Sequence, residues 1–316
     1  MRSPHRKRRA TDQPLWRGGT PDRQTVYTFL GGLGVIVAGT LAWVLLRTPA
    51  AHDASPTWGP DGRIVYVSDE TATADLAFMS ADGTGRELIE IPGRERGPAV
   101  SPDGASIAFD ADLDGNRDIY VVGWDGRTPR RLTTHLERDW GPSWMPDGSG
   151  VVFTSSRDTR GGADIYRVAV KGGAVERLTR TGNSRHARVS PDGASLALEM
   201  AGDIHILSLA GGRIRRLTYA PQDGLRPAWS PDGRRLAFVS RRNGRPEILA
   251  VDFDGSNVQR VVSMAVGGAT DPQWSPDGTR IAFVHLPEAH TSLPDHPAHT
   301  IYTVELATGR LTRLSP

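Results

Sequence analysis

Residues 229–255 read WSPDGRRLAFVSRRNGRPEILAVDFDG, and this stretch contains the signals that decide the fold. Asp232-Gly233 is a hairpin-turn signal, because glycine adopts the positive φ that such turns require. The apolar run RLAFV follows at 235–239, and a polar turn separates it from a second run, EILAV, at 247–251. Asp254-Gly255 marks the next turn. Short apolar runs between Gly-bearing turns predict antiparallel β-strands.

The same unit recurs six times along the chain. The tripeptide Pro-Asp-Gly begins at residues 60, 102, 146, 191, 231 and 276, with spacings of 42, 44, 45, 40 and 45 residues. A period of about 40–45 residues is typical of a propeller blade with four strands. One such sheet cannot cover both of its faces, whereas a closed ring of sheets buries a continuous core. The sequence therefore predicts an all-β, six-bladed β-propeller over residues 56–316.

Tryptophan recurs at one position of the repeat, in the predicted first strand. The four copies are Trp58, Trp144, Trp229 and Trp274. Large aromatic side chains that recur at one repeat position are usually core residues. We therefore expect these rings to pack as wedges between blades rather than to bind a ligand.

The repeat resembles the PD40, or WD40-like, repeat of TolB-type propellers. The likeness rests on W-S-P-D-G, I-A-F, D-I-Y and R-L-T, and DGNRDIYVVGWDGRTPRRLT at 114–133 is a further plain copy. It covers residues 56–316 and implies a six-bladed propeller in the bacterial envelope. TolB-type proteins join this propeller to a preceding α/β domain and act with the Tol-Pal system. We expect no such domain before residue 56, and hence no direct Tol-Pal role.

Catalytic signatures are not evident in this chain. Similar repeats form the propellers of prolyl-oligopeptidase-type peptidases, but no Gly-x-Ser-x-Gly elbow follows the repeats, so peptidase activity is not implied. The sequence has no Cys, which excludes disulfides, thiolate metal sites and Cys nucleophiles. We find no phosphate-cradling loop and no supported Ser-His-Asp arrangement. The sequence therefore predicts a protein that is not an enzyme.

The N-terminal region predicts a membrane anchor. Residues 1–25 form a basic tail, 26–47 a transmembrane helix and 48–55 a linker, and an uncharged run of 23 residues covers the span. About 20 residues suffice to cross a hydrocarbon layer of about 30 Å. The Lys and Arg of the tail place the N-terminus in the cytoplasm and the propeller in the periplasm or outside the cell. A cleaved signal peptide is the alternative, because Thr48-Pro49-Ala50 offers small residues for cleavage.

The basic character of the chain belongs to this tail. Residues 1–23 carry seven Lys or Arg against two Asp, whereas the rest carries 31 Lys or Arg against 34 Asp or Glu. The propeller is thus mildly acidic. A cationic stripe for a nucleic acid is therefore not expected in the main body.

The segment DADLDGNRD at 110–118 is a candidate calcium loop. Acids at positions 1, 3, 5 and 9 surround a glycine, as in loops that wrap a hard cation with alternate oxygen ligands. The candidate ligands are Asp110, Asp112, Asp114 and Asp118. The alternative is an ordinary turn of the repeat, because the fifth unit has Gly244 and Glu247 in the same register.

The segment HLPEAHTSLPDHPAH at 285–299 is a candidate transition-metal loop. It contains four of the nine histidines of the chain, namely His285, His290, His296 and His299. Imidazoles beside carboxylates suit Zn²⁺, Ni²⁺ or Cu²⁺. The spacing H-x4-H-x5-H-x2-H matches no known zinc signature, so a solvated variable loop is the alternative.

One face of the propeller is expected to carry the binding site. The turn between strands two and three shares a face with the connection from strand four to the next strand one, and loops on a rigid scaffold commonly bind ligands. The residues expected near the channel mouth are Arg96, Asp139, His186, Arg226 and Asp271. Their mixed charges favour a protein or glycan partner over a nucleic acid.

The favoured function is therefore an anchored, extracytoplasmic protein-binding or scaffold module of the bacterial envelope. Its partners would be an envelope protein or glycan, and the lipid bilayer through residues 26–47. The alternative is a metal-dependent carbohydrate-active enzyme of the lyase type, or a glycan-binding propeller, and the histidine loop is the observation behind it. Apart from the candidate calcium, no cofactor is expected.

Overall fold

The computed structural model describes residues 53–70, 73–159, 161–219, 224–287 and 299–315. The predicted tail at 1–25 and span at 26–47 lie outside these residues. Within the described ranges, no helix has the length and apolar character that crossing a bilayer requires. Every regular element in them is a β-strand.

The strands form six sheets of four antiparallel strands each. The first strands are β1 (Asp53–Trp58), β5 (Glu95–Val100), β9 (Asp139–Trp144), β13 (Ser184–Val189), β17 (Leu225–Trp229) and β21 (Gly268–Trp274). The second strands are β2 (Ile64–Ser68), β6 (Ser106–Ala111), β10 (Gly150–Ser155), β14 (Ser195–Met200), β18 (Arg235–Ser240) and β22 (Arg280–Leu286). The third strands are β3 (Asp75–Met79), β7 (Asp118–Gly123), β11 (Asp164–Ala169), β15 (Asp203–Ser208), β19 (Glu247–Asp252) and β23 (Thr300–Glu305). The fourth strands are β4 (Glu87–Ile89), β8 (Arg130–Arg131), β12 (Glu176–Arg177), β16 (Ile214–Arg216), β20 (Gln259–Val262) and β24 (Leu311–Arg313).

Each blade is a simple meander, and the six blades confirm the predicted propeller with four strands per blade. Because neighbouring strands are antiparallel, every fourth strand ends on the face where every first strand begins. We call this the entry face, because β1 begins on it. It also carries the turns between second and third strands, whereas the Pro-Asp-Gly turns lie on the opposite face.

The core lies between neighbouring blades. All five side chains of β2 are buried, because this middle strand is covered by the blades on both sides. Trp58, Ile64 and Tyr66 of blade 1 pack against Ile301 and Leu314 of blade 6. Blades 1 and 6 each consist of their own consecutive strands. The ring therefore closes by side-chain packing, without a strand exchanged between the ends of the propeller.

The repeated tryptophans bridge neighbouring blades, as predicted. In three of them, the indole Nε1 donates a hydrogen bond to a first-strand carbonyl of the preceding blade. The pairs are Trp58 with Gln273 (3.1 Å), Trp144 with Ala99 (2.9 Å) and Trp229 with Arg188 (3.0 Å). Trp274 is buried in the cluster between blades 5 and 6.

The acid of D-I-Y and the Arg and Thr of R-L-T form one cluster that fastens the short fourth strand. In blade 3, Asp164 accepts hydrogen bonds from Arg177 Nη2 and Thr179 Oγ1, both at 2.7 Å. The same arrangement recurs in blade 2 with Asp118, Arg131 and Thr133, and in blade 4 with Asp203, Arg216 and Thr218. The motif that identifies the repeat is thus a structural one.

Blade 1 lacks this cluster. Leu88 occupies the position that Arg131 holds in blade 2. Beside Asp75, Glu95 is fully buried, and neither of its carboxylate oxygens has a hydrogen-bond partner among the described residues. Burial, and then the charge of Asp75, raise the pKa of Glu95 to about 7. This carboxyl group is therefore poised to change charge near neutral pH.

Candidate functional site: a charged channel

The six first strands surround a central channel with a volume of about 900 Å³. The side chains of Trp140 and His186 line it, and prolines of the Pro-Asp-Gly turns line its other end. Its charged lining residues are four arginines and two aspartates, namely Arg96, Arg117, Arg188, Arg226, Asp110 and Asp271. The lining is therefore cationic in total, although the main body of the chain is mildly acidic.

Each first strand carries one residue in the left-handed backbone conformation, at the same repeat position. The six residues are Ser55, Gly97, Gly141, His186, Arg226 and Asp271, with φ between 47° and 64°. The register with the second strand shifts at each of them, which makes each a β-bulge. Such a conformation costs a residue other than glycine about 1–2 kcal/mol. Bulges re-aim side chains, and here three of them bring charged or imidazole side chains into the channel lining.

Polar side chains from three second strands bind the bulge of the following blade. The pairs are Asp110 Oδ1 with Gly141 N (2.9 Å), Thr154 Oγ1 with His186 N (3.2 Å) and Glu199 Oε1 with Arg226 N (2.5 Å). In the other three blades valine occupies the equivalent position, as Val67, Val239 and Val284. The bulges of blades 3, 4 and 5 are therefore held by side-chain hydrogen bonds from their neighbours.

Asp110 is the anionic centre on one side of the channel. It is fully buried, and its Oδ2 lies 2.6 Å from Arg117 Nε. Burial raises the pKa of Asp110, while Arg117 and the Gly141 N–H oppose that shift. The Arg117 guanidinium also lies 5.9 Å from the ring centroid of Trp140. The Arg117 guanidinium is therefore already paired with Asp110 and packed near Trp140.

Arg96 and Arg188 differ from Arg117 in their partners. Their side chains hydrogen-bond only to backbone carbonyls, those of Arg94 at 3.5 Å and Ala187 at 3.3 Å, and neither forms an ion pair with a described residue. Burial, and then a neighbouring arginine, lower the pKa of each guanidinium. Arginine nevertheless remains protonated in proteins. These two side chains therefore supply positive charge that the described residues do not pair.

Blades 4, 5 and 6 contribute a chain of linked charges. His186 Nδ1 lies 3.0 Å from Glu199 Oε2, within ion-pair distance. Burial disfavours the ionised form of Glu199, but His186 and Arg226 outweigh it and lower the pKa of this carboxyl. Arg226 Nη1 lies 3.3 Å from Asp271 Oδ1. The linked groups hold the strained bulges in one arrangement.

The structure brings together four of the five residues expected at the channel mouth, namely Arg96, His186, Arg226 and Asp271. The fifth, Asp139, is not part of the lining, because its buried carboxylate pairs with Arg157 Nη2 at 2.6 Å within blade 3. Sequence reasoning missed Arg117, Arg188 and Glu199. A signal for Arg188 existed, because the other five units carry uncharged residues at its repeat position.

The four acids of the candidate calcium loop contact different neighbours. Asp110 contacts Arg117, Asp114 contacts Tyr120 and Arg131, and Asp118 contacts Arg131 and Thr133. Asp112 is exposed. Among the residues that the structure describes, no group of three His, Asp or Glu side chains is placed to hold a metal ion. Calcium binding by this loop stays a prediction.

The candidate transition-metal loop lies largely outside the described residues, and His290 and His296 belong to that part. His285 Nε2 lies 3.0 Å from the carbonyl oxygen of Val266, and its ring packs edge-on against Tyr302. His299 directly precedes β23. Joint metal binding by the four histidines stays a prediction.

The propeller repeats match one known protein family. The TolB beta propeller domain, PD40, matches residues 54–202 and 188–312. An uncharacterised protein of Agrobacterium fabrum is 29% identical over 228 residues, which cover 71% of this chain and 62% of that protein. The TolB homologue of Chlorobium luteolum is 29% identical over 245 residues, which cover 75% of this chain and 53% of that protein.

Solved structures agree with this result. TolB from Acinetobacter baumannii superposes with a TM-score of 0.62 at 28% identity, over 71% of this chain and 57% of that one. The chain spans less than two thirds of the length of these relatives. Propellers of peptidases and of an oligogalacturonate lyase, at 12% to 18% identity, share the fold alone.

Proposed function

Since the chain belongs to the TolB β-propeller domain family, we propose that it is a protein-binding module of the bacterial envelope, without catalysis of its own. Residues 26–47 anchor it in the cytoplasmic membrane, residues 1–25 stay inside, and the propeller lies in the periplasm or outside the cell. The uncharged run of 23 residues beside a basic tail supports this arrangement. The observation that carries the binding role is the cationic channel.

The channel fits an acidic segment of a partner protein. Arg96 and Arg188 form no ion pair with a described residue, and a guanidinium binds a carboxylate through two parallel hydrogen bonds. The channel volume of about 900 Å³ is at the upper end of the range of about 300–1,000 Å³ that ligand pockets span. Asp or Glu side chains, or a C-terminal carboxylate, would supply the charge that the lining lacks.

The channel is also prepared for binding before a partner arrives. Strained residues such as His186 and Arg226 persist only when the surrounding structure holds them, and here hydrogen bonds from Thr154 and Glu199 do so. A site that is already ordered loses little conformational freedom on binding. This favours a recognition role for the channel.

The binding of a synthetic peptide tests this proposal. Fluorescence anisotropy of a labelled glutamate-rich peptide should show binding to the full chain that weakens with salt, and a lysine-rich peptide of equal length should not bind. Arg96→Gln with Arg188→Gln should abolish binding, whereas Arg127→Gln, exposed outside the channel, should not. Failure of the peptide to bind the folded chain, together with turnover of an acidic oligosaccharide, would favour the carbohydrate-active alternative instead.

Metal binding remains a separate proposal. The alternating acids from Asp110 to Asp118 support calcium, and the four imidazoles from His285 to His299 support a transition metal. A metal that binds the native state raises the melting temperature. Titration of the full chain with Ca²⁺ or Zn²⁺ should therefore raise it, and Asp112→Ala or His290→Ala respectively should remove that rise. An unchanged melting temperature would reject both sites.

A further inference from the structure

The three most exposed large apolar side chains among the described residues lie on one face of the propeller. They are Leu136, Tyr219 and Val266, with exposures of 94%, 74% and 58%. Each lies in a connection from a fourth strand to the next first strand, namely β8–β9, β16–β17 and β20–β21. A single exposed apolar residue is ordinary. Three projecting from equivalent connections form a rim, which we call the apolar rim, on the entry face.

The chain enters the propeller on this same face. Strand β1 begins there at Asp53. Only residues 48–52 of the predicted linker separate it from Arg47, the last residue of the predicted span. At about 3.3–3.6 Å per residue, even a fully extended linker reaches about 20 Å. With the anchor of the proposed function, a linker of this length limits the distance between Asp53 and the membrane to about 20 Å.

Positive charge accompanies the apolar rim on the side of blades 3 to 5. Four exposed arginines there form no ion pair with a described residue, namely Arg138, Arg180, Arg185 and Arg241. Among the described residues, most exposed acids of the entry face lie on blades 1 and 2, as Asp69, Glu70, Glu90 and Asp112. Glu137 and Asp158 are also exposed on this face near blade 3, where Asp158 lies 3.6 Å from Arg177. Basic residues beside exposed apolar and tyrosine side chains are typical of a surface that meets anionic lipid headgroups.

We propose that the entry face docks on the lipid headgroup region of the membrane. Leu136, Tyr219 and Val266 enter the interface, and the arginines of blades 3 to 5 contact anionic headgroups. This inference rests on the anchor in the proposed function and goes beyond it, because it assigns a lipid-binding surface to the propeller itself. An acidic partner segment then enters the channel from the face of the Pro-Asp-Gly turns.

The absence of Cys from the sequence gives this proposal a direct test. Single-cysteine variants Leu136→Cys, Tyr219→Cys and Val266→Cys carry an environment-sensitive fluorophore, and Val258→Cys is the matched control. Val258 is 48% exposed and lies in the turn between β19 and β20, on the opposite face. The full chain is reconstituted into vesicles of phosphatidylcholine and phosphatidylglycerol that contain headgroup-nitroxide lipids. We expect quenching at the three rim positions and none at residue 258.

Two other results would overturn the proposal, and they are distinguishable. If the chain floats with the vesicles but all four labels are quenched equally or not at all, the docking is wrong and the anchor stands. If the chain does not float with the vesicles, the anchor itself fails and the docking fails with it. An unchanged melting temperature of each labelled variant confirms that the propeller is intact.

Discussion

Glu199 in the second strand of blade 4 accepts a hydrogen bond from the backbone N–H of Arg226 in blade 5, at 2.5 Å. This contact crosses the junction between two blades and holds a residue whose φ is 54°. Asp110 and Thr154 bind the next bulge in the same way. Variation at one repeated position thus decides which bulges receive a side-chain hydrogen bond.

Replacing Glu199 by the valine found in other blades should destabilise the propeller. Glu199→Val leaves the Arg226 N–H without its acceptor, and an unsatisfied buried donor costs about 1–3 kcal/mol. Glu199→Gln keeps an acceptor oxygen and should cost less. Urea denaturation of both variants measures the free energy of unfolding. Equal losses for valine and glutamine would show that the hydrogen bond is not what Glu199 contributes.

The two glycines of the bulge ring should differ in their tolerance of a side chain. Gly141→Ala meets no atom within 4 Å and should cost about 1 kcal/mol for its left-handed backbone. Gly97→Ala also places its Cβ 3.2 Å from Asp110 Oδ1. It should therefore cost more and disturb the pair between Asp110 and Arg117. Thermal denaturation of both variants checks the order, and a larger loss at Gly141 would contradict it.

The propeller itself could be predicted from the sequence because its turn chemistry recurs. In four of the Pro-Asp-Gly turns a serine hydroxyl donates to the aspartate carboxylate at 2.5 to 2.6 Å, which makes Ser-Pro-Asp-Gly a self-contained turn signal. D-I-Y and R-L-T recur because the same cluster holds the fourth strand in blades 2, 3 and 4. Closure of the ring was not predictable, because it depends on side-chain packing between Trp58 and Leu314, which are far apart in sequence.

The channel was predictable only in part. Arg96, His186, Arg226 and Asp271 were expected at its mouth because they fall in or beside connections of the entry face. Their left-handed conformation was not expected, because a β-bulge at His186 or Arg226 carries no glycine signal. Arg117 was not expected in the channel, because it lies in the acid-rich segment at 110–118 that was interpreted as a candidate calcium loop. Its role depends on the ion pair with Asp110, which the sequence does not show.

Stability should fall as the pH rises through the titration of Glu95. Its pKa is raised from 4.5 to about 7 in the folded chain, so the folded state holds a proton that the unfolded state has already released. The contribution of Glu95 to the free energy of unfolding is therefore fully present below about pH 4.5. It is lost between about pH 4.5 and pH 7, and the loss is at most about 3 kcal/mol. Glu95→Gln cannot ionise and should remove this loss.

Urea denaturation between pH 5 and pH 8 measures this effect. Glu90→Gln is the matched control, because Glu90 is an exposed glutamate on the connection that leads into β5. A parallel pH profile for wild type and Glu95→Gln would show that the buried carboxyl does not titrate in this range.

The cluster of D-I-Y and R-L-T should be the most costly to break. Asp164→Ala removes the acceptor of Arg177, Thr179 and the Thr181 N–H. Removal of one partner from a buried ion pair costs about 3–5 kcal/mol. Asp147→Ala, at an exposed turn of the same blade, should cost much less, because surface substitutions away from buried contacts change stability little. Similar midpoints for the two variants in urea would contradict the structural role of the motif.

Site-specific photo-crosslinking in cells that produce the full chain tests the central claim most directly. A photoreactive amino acid replaces Trp140 in the channel lining, or Val258 on an outer turn as the control. We expect an adduct with one envelope protein, through an acidic segment, from position 140 but not from 258, and its loss with Arg96→Gln and Arg188→Gln. The absence of an adduct from position 140 in the folded chain, or an adduct that persists without the two arginines, would contradict recognition of a partner by the channel.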